Sequence, residues 1–414
     1  MNLIKEISSE IQKVINCEID VENFMEIPSD INKAEYVFKA FEVAKLLNVS
    51  PEVIAKKVQK CVQLDFIDHI EVINSYVNIY IDKYKYIGCS LIEITNKDNK
   101  CCMLNASNNL YSHLRETHKD IRQLGSFALY NFICNIFNYK GYNVINLDNK
   151  HYFCMCDNNI QKYIKKIICS LKKMQMIYRE NNCLCVNLKE YNNSPFIVMK
   201  DAKFTKEAMI LFKAIYCIEN IKDVICICIY DECEHSIYNK VDTIIKIISE
   251  DFAYKYLFVS NYTIKILNNN YISRSVFVDI NPIIFFILSH KKKHKVTIDY
   301  KFISNHMNEY FEIINCINKA IDFLDINNNC IFIGNENRID IYSEVRFLNN
   351  YSNLLSECIN KLDSSLLCDY LIKVCYNLNN TINTKKVDNS IVLLVKASLK
   401  VIRKGLLFLG IDVS

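Results

Sequence analysis

The chain has 414 residues, 51% of them hydrophobic and 23% charged, with a formal net charge of +4. That length and apolar content provide for two or three domains with sizeable cores and exclude a disordered or fibrous chain. The small positive charge permits a nucleic-acid partner without requiring one. Lys, Asn, Ile and Tyr, residues of AT-rich codons, recur throughout, so lysine abundance alone says little about partners. Twenty cysteines in a chain whose first residues, MNLIKEISSEIQKVI, read as an amphipathic helix and not a signal peptide point to reduced thiols and a cytoplasmic location. No run approaches the ~18–20 apolar residues of a membrane span.

In chain order, Ala34–Leu47 (AEYVFKAFEVAKLL) has helical spacing. Ser50 is placed to cap a second helix with Pro51 in its first turn. Ile70–Ile81 alternates with period two, as a strand or hairpin does. From 86 to 275, apolar strands at Val144–Leu147, Val224–Tyr230 and Tyr256–Val259 alternate with helices at Phe127–Tyr139, Ile160–Met174 and Asp242–Ile248. That alternation predicts an α/β region with a mainly parallel sheet. Residues 276–414 carry helical periodicity and predict an all-helical region. The pairs Cys154/Cys156, Cys183/Cys185 and Cys226/Cys228 match no zinc module and read as small buried residues.

Several stretches match one known pattern in order. Near the C-terminus, Tyr370, Leu371, Gly405, Leu406, Leu409, Gly410 and Ile411 fit a tyrosine–leucine helix followed by a helix closing on "gLxlLGI". Near the N-terminus, Ala44-Lys45, Ser50-Pro51, Ile54-Ala55 and Tyr76–Tyr80 fit "lAKxlxxnPxeiAxxi" and "GFiNf". Between them, Gly141, Tyr142 and Val144 fit "lGydV", Asp201 fits "rDia", and Asp231 and His235 fit "yVvGaDQxxHf". Phe285, Phe286, Leu288 and Ser289 fit "DaiRffLLs", with Asn281 for its Asp and Ile284 for its Arg. Together they resemble the arginyl-tRNA synthetases. The resemblance implies a small α/β N-terminal domain (1–85), a Rossmann-like class I synthetase core (86–275) and a C-terminal helical anticodon-binding bundle of the DALR type (276–414).

In that family the N-terminal domain grips the tRNA elbow and the Asn of "GFiN" contacts a D-loop base. By resemblance Asn78, beside Tyr76, holds that role, while Ser75 replaces the Gly. Lys396, Lys400, Arg403 and Lys404 form a basic stripe on the last helix, near the family's anticodon stem. Asp201, Asp231 and His235 stand as remnants of the core pocket. Lys162, Lys165, Lys166, Lys172 and Lys173 form a second stripe, opposite Ile164, Ile167, Ile168 and Leu171, which reads as a solvated face.

The class I chemistry needs a His-x-Gly-His turn at a helix N-terminus to hold the developing phosphate charge, and a lysine-bearing loop for the leaving pyrophosphate. A gap-free alignment puts Asp120, Ile121, Arg122 and Gln123 at the first signature; the rival, Ser112–Thr117, retains His113 but has no Gly. At the second, only Ile272-Ser273-Arg274-Ser275 is similar. Losing one such group costs ~10²–10³ in rate, so the sequence predicts no catalytic residues. The reading that follows is a degenerate, tRNA-binding arginyl-tRNA synthetase-like pseudoenzyme, a tRNA adaptor or subunit with no cofactor. Its partners are tRNA, arginine tRNA among the candidates, and a protein such as a tRNA-modifying enzyme, with no membrane and no DNA. The alternatives are a divergent, active arginine–tRNA ligase using ATP, and a protein-interaction scaffold without RNA binding.

Overall fold

The computed structural model describes residues 3–16, 18–28, 33–96, 121–141, 143–146, 158–220, 224–230, 234–248, 256–260, 264–267, 281–291, 296–299, 309–327 and 339–413. The chain opens with α1 (Leu3–Ile15), whose buried Leu3, Ile7 and Ile11 follow helical spacing. Strands β1 (Met25–Glu26) and β2 (Tyr36–Lys39) precede α2 (Ala40–Leu47) and α3 (Pro51–Cys61), and the hairpin of β3 (Ile67–Ile73) and β4 (Tyr76–Ile81) follows. These strands form one antiparallel sheet in the order β1-β2-β4-β3. Ser50 is the N-cap of α3 with Pro51 in the first turn, although its side chain makes no capping hydrogen bond.

The helix expected over Ala34–Leu47 is corrected at its first half. Tyr36–Lys39 is a strand between β1 and β4, and Tyr36, Val37 and Phe38 are all buried. A run apolar on both sides suits a central strand as well as a helix, and β-branched and aromatic residues favour the strand.

Helix α4 (Lys83–Asn96) leaves this sheet, and α5 (Ile121–Tyr139) leads into β5 (Asn143–Asn146). Next come α6 (Asn158–Lys173), β6 (Ile177–Glu180), β7 (Cys183–Val186), β8 (Phe196–Lys200), β9 (Lys203–Phe204) and α7 (Lys206–Asn220). Then follow β10 (Val224–Tyr230), α8 (His235–Ile248), β11 (Tyr256–Ser260) and β12 (Ile264–Leu267). Strands β5, β10 and β11 form the expected parallel sheet in the order β11-β10-β5. Strands β6 to β9 add an antiparallel sheet that the sequence did not predict. It turns at Asn181-Asn182 and Asp201-Ala202, where both residues of each pair take positive φ, the two-residue hairpin geometry that matches strand twist.

The C-terminal region comprises α9 (Asn281–Leu288), β13 (Val296–Asp299), α10 (Glu309–Asn327), α11 (Tyr342–Asn349), α12 (Tyr351–Lys361), α13 (Ser365–Thr384) and α14 (Asn389–Phe408). The all-helical expectation is corrected by β13, which pairs in parallel with β12. Its Val-Thr-Ile run is β-branched and favours the extended chain.

Buried side chains fall into two clusters among the described residues. The larger joins the N-terminal sheet and α1–α4 to α5 and α9–α14. The smaller is built from α6, β7, β8, α7 and α8 around Phe196, Leu211 and Phe212.

The sequence "GLLFLGI" ends α14. Gly405 lies so near buried Leu371 of α13 that a Cβ there would stand 2.5 Å from Leu371 Cδ2, which fixes the α13–α14 approach. Gly410 takes φ +78°, and the N–H groups of Gly410 and Ile411 donate to the carbonyls of Leu407 (3.0 Å) and Leu406 (2.9 Å). This is a Schellman close. Asn135 Nδ2 of α5 donates to the Leu407 and Phe408 carbonyls at 3.1 and 3.3 Å, seating the helix end on α5.

A buried polar seam ties the N-terminal domain to the bundle. The Arg346 guanidinium donates to the backbone carbonyls of Lys33 and Ala34, both at 2.8 Å. It also faces the Glu35 carboxylate at 3.7 Å, both side chains being about 5% exposed or less. Glu35 accepts from the Ile81 N–H (2.8 Å) and from the Tyr342 hydroxyl. Burial and the Glu35 carboxylate raise the Tyr342 hydroxyl well above its ordinary value, so it stays protonated as a donor. Asn349 Nδ2 donates to the Tyr86 hydroxyl (2.9 Å) and Ser90 Oγ (2.6 Å) of α4.

Candidate functional site

The outward face of the N-terminal sheet is the site where expected residues come together. Alternation along β4 buries Val77, Ile79 and Ile81 and turns Tyr76, Asn78 and Tyr80 away from the core. Register then sets Asn78 between Val37 of β2 and Glu71 of β3. Tyr76, 40% exposed, meets the edge of Phe41 at 5.2 Å between ring centroids. On the other side, the His69 ring stacks on Tyr80 at 4.1 Å with 9° between planes. A register irregularity between Ile67 and His69 precedes it. The Tyr80 hydroxyl donates to Glu71 Oε2 at 3.3 Å, and burial followed by the Glu71 charge raises it above its ordinary value. A half-buried amide thus lies between two aromatic pairs on an open sheet face. Planar rings and an adjacent amide are what stacks on and hydrogen-bonds an unpaired base.

The position of Asn78 and Tyr76 was legible from the period-two pattern. Phe41, His69 and Tyr80 were missed: Phe41 belongs to α2, well before the hairpin in the chain, and the register that pairs His69 with Tyr80 is not visible in the strand alone.

The hairpin tip keeps the geometry that a glycine would give. Asn74 and Ser75 adopt φ +48° and +67°, the paired left-handed conformation of a two-residue turn. A non-glycine residue is disfavoured there by ~1–2 kcal/mol. We expect Ser75→Gly to raise the unfolding free energy by about 0.5–1 kcal/mol, since the added freedom of the unfolded chain takes back part of the gain. Denaturant unfolding checks this; a loss of stability would show that the Ser75 side chain is needed at the tip.

The terminal stripe is used differently from its sequence reading. Lys400 Nζ donates to the Thr95 carbonyl at the end of α4 (2.9 Å). The Lys404 ammonium lies 4.0 Å from the Tyr139 ring centroid of α5 and 5.8 Å from that of Phe408. Both cations therefore help seat α14 on α4 and α5, while Lys396 is half-buried and Arg403 is exposed.

Asp201 occupies the exposed β8–β9 turn at φ +48°, and exposed His235 opens α8. Arg122 and Gln123 lie in the first turn of α5. Asp120, Asp231, Ser273 and Arg274, like His113, lie outside the described residues.

Cys183 is half-buried and Cys185 buried on β7, and both are free thiols. Burial pushes the Cys134 and Cys358 thiols up to about 12, so they serve as apolar fillers. No three His, Cys, Asp or Glu side chains gather to hold a metal ion among the described residues, and no described helix is long and apolar enough to cross a membrane.

The aromatic face lies within residues 1–81, which match the family described as the arginyl tRNA synthetase N terminal domain. The chain is 31% identical over 98 residues to an arginine–tRNA ligase of Clostridium kluyveri, covering 23% of this chain and 17% of that one. It is 32% identical over 88 residues to one of Streptococcus thermophilus, covering 20% and 16%. The chain thus spans under a fifth of the length of these curated relatives by sequence. The fold agrees over its whole length: the Thermus thermophilus arginyl-tRNA synthetase superposes with a TM-score of 0.63 at 10% identity, covering 100% of this chain and 99% of that one.

The chain is thus similar to the arginyl-tRNA synthetases, by sequence over its N-terminal part and by fold over its whole length.

The Plasmodium falciparum arginyl-tRNA synthetase gives a TM-score of 0.59 at 12% identity, covering 99% of this chain and 98% of its own. At such identities the likeness is one of fold. The chain therefore has an α/β N-terminal part and a helical C-terminal region in the synthetase arrangement of the fold.

Proposed function

We propose that this arginyl-tRNA synthetase-like protein binds tRNA or a tRNA-like RNA and acts as an adaptor or subunit without aminoacylating it. The observation that carries the reading is the outward face of β3 and β4, where Asn78 lies between Phe41–Tyr76 and His69–Tyr80 inside the segment matched to the synthetase N-terminal domain. The sequence supports the second half of the proposal: neither histidines with a Gly nor a lysine loop stands at the aligned signature positions. Exposed Arg403 extends the contact from the bundle, whereas Lys400 and Lys404 hold α14 in place and act indirectly. A protein partner, such as a tRNA-modifying enzyme, would receive the RNA.

The test is capture and sequencing of tRNA on the purified protein, with ATP–pyrophosphate exchange alongside. Enriched tRNA without exchange is the expected outcome. Arginine-dependent exchange would replace the adaptor by the active ligase that the relatives' names describe, with ATP as substrate. We also expect Tyr76→Ala and Asn78→Ala each to weaken tRNA binding about fivefold to a hundredfold, as base stacking and its hydrogen bonds contribute ~1–3 kcal/mol. Unchanged affinity in both variants would remove this face from the interface.

A further inference from the structure

We infer that the exposed face of α6 is a second RNA contact, which holds the phosphate backbone and rests on the RNA-binding reading above. The stretch from 158 to 179 contains Lys162, Lys165, Lys166, Lys172, Lys173 and Arg179 and no acidic residue. All six are exposed, while Ile164, Ile167 and Leu171 on the opposite side enter the smaller core cluster. The lysines run from Lys162 to Lys173, about 16 Å along the axis at ~1.5 Å per residue.

Lysine is common everywhere in this chain, but several other exposed helix lysines come with an acid at helical spacing. Lys13 pairs with Glu10, Lys246 with Asp242 and Lys361 with Glu357. Within the same module Lys206 pairs with Glu234 at 2.8 Å. Helix α6 has no acid at such a spacing, and it sets Lys162 three and four residues from Lys165 and Lys166, arrangements that repel. One lysine is also held in place: Lys166 lies 5.8 Å from the Tyr163 ring centroid, and Tyr163 is fixed by its hydroxyl on the Ile215 carbonyl (3.3 Å) and by the Tyr216 ring.

The chemistry of the face selects the partner. Lysine is depleted in protein–protein interfaces, which need a desolvated apolar or aromatic centre. A membrane-surface helix needs exposed large apolar residues, and the one large apolar side chain exposed here, among the described residues, is Met174 past the end of α6. A closely spaced row of ammonium groups on a helix with no acid in its own sequence fits a row of phosphates.

The experiment uses the full chain with Lys162, Lys165, Lys172 and Lys173 all changed to Gln, a residue of similar helix propensity. A Lys172→Gln/Lys173→Gln variant gives a half-dose, and a Lys206→Gln/Lys246→Gln variant serves as control. Affinity for total tRNA and for a short RNA duplex of arbitrary sequence is measured across a salt series, with circular dichroism to verify the fold. We expect the fourfold variant to lose about tenfold or more in affinity at low salt and to flatten the log K against log salt slope by about 2–3. The double variant should show roughly half the slope change and the control none. Unchanged slopes with wild-type tRNA binding intact would overturn this contact and leave the aromatic face standing. Duplex binding lost with the lysines, but without tRNA enrichment by the wild type, would keep the contact and overturn the tRNA reading. If the wild type binds neither RNA, both fail.

Discussion

Replacing Arg346 by Ala should destabilise the joined N-terminal domain and bundle by about 3–5 kcal/mol, the cost of stranding a buried charge. Glu35 accepts from two donors, the Ile81 N–H and the Tyr342 hydroxyl, and faces the guanidinium charge at 3.7 Å. Arg346 in turn satisfies the carbonyls of Lys33 and Ala34. Truncation leaves the buried Ala34 carbonyl, the part-buried Lys33 carbonyl and the buried Glu35 carboxylate short of a partner at the join between β2, β4 and α11. The Ile81 amide provides a local reporter, because its bond to Glu35 loosens when the seam opens. We expect its hydrogen exchange to approach the global rate in Arg346→Ala and the urea midpoint to fall. The double variant Glu35→Gln/Arg346→Met should regain much of the loss, since removing both charges removes the stranded one. A single variant within about 1 kcal/mol of wild type would show that the seam is solvated and that Arg346 contributes little to docking.

None of that seam is visible in the sequence. Glu35 and Arg346 lie far apart in the chain, and each alone reads as an ordinary surface charge. The bundle was legible for the opposite reason: Leu367, Leu371, Val374 and Leu378 recur at helical spacing and do enter the core. The Gly405 and Gly410 signals each had a local cause, a close approach to Leu371 and a left-handed helix end. Tyr36–Lys39 misled because a strand buried on both faces shows no alternation. The antiparallel sheet was missed although its Asn181-Asn182 turn was there to read, since Asn is among the residues that tolerate positive φ. In the candidate site, alternation turned Tyr76 and Asn78 away from the core, but the platform also needs cross-strand register and helix α2. The terminal lysines show the converse: a stripe on one helix says nothing about which neighbour it meets, and here Lys400 and Lys404 meet α4 and α5.

The two core clusters make a second large effect local. Phe212 of α7 is fully buried and meets the edge of Phe204 at 5.3 Å, in the cluster that α6, β7, β8, α7 and α8 share. Phe212→Ala should remove about 3–5 kcal/mol from that cluster, through lost transfer energy and the cavity left behind. We expect amide exchange to accelerate in α6–α8 and β7–β8 while α13 and α14, built into the other cluster, keep their protection. Equal loss of protection in both would mean that the clusters unfold as one unit. The same variant separates the two RNA contacts. Tyr76 and Asn78 stand on the larger cluster, whereas the α6 lysines stand on the smaller one. Warming Phe212→Ala to the point where α6 exchanges freely should therefore flatten the salt dependence of RNA binding and leave the effect of Tyr76→Ala intact. If both contacts vanished together, the smaller cluster would be supporting the N-terminal face across the chain, and the two could no longer be treated as separate.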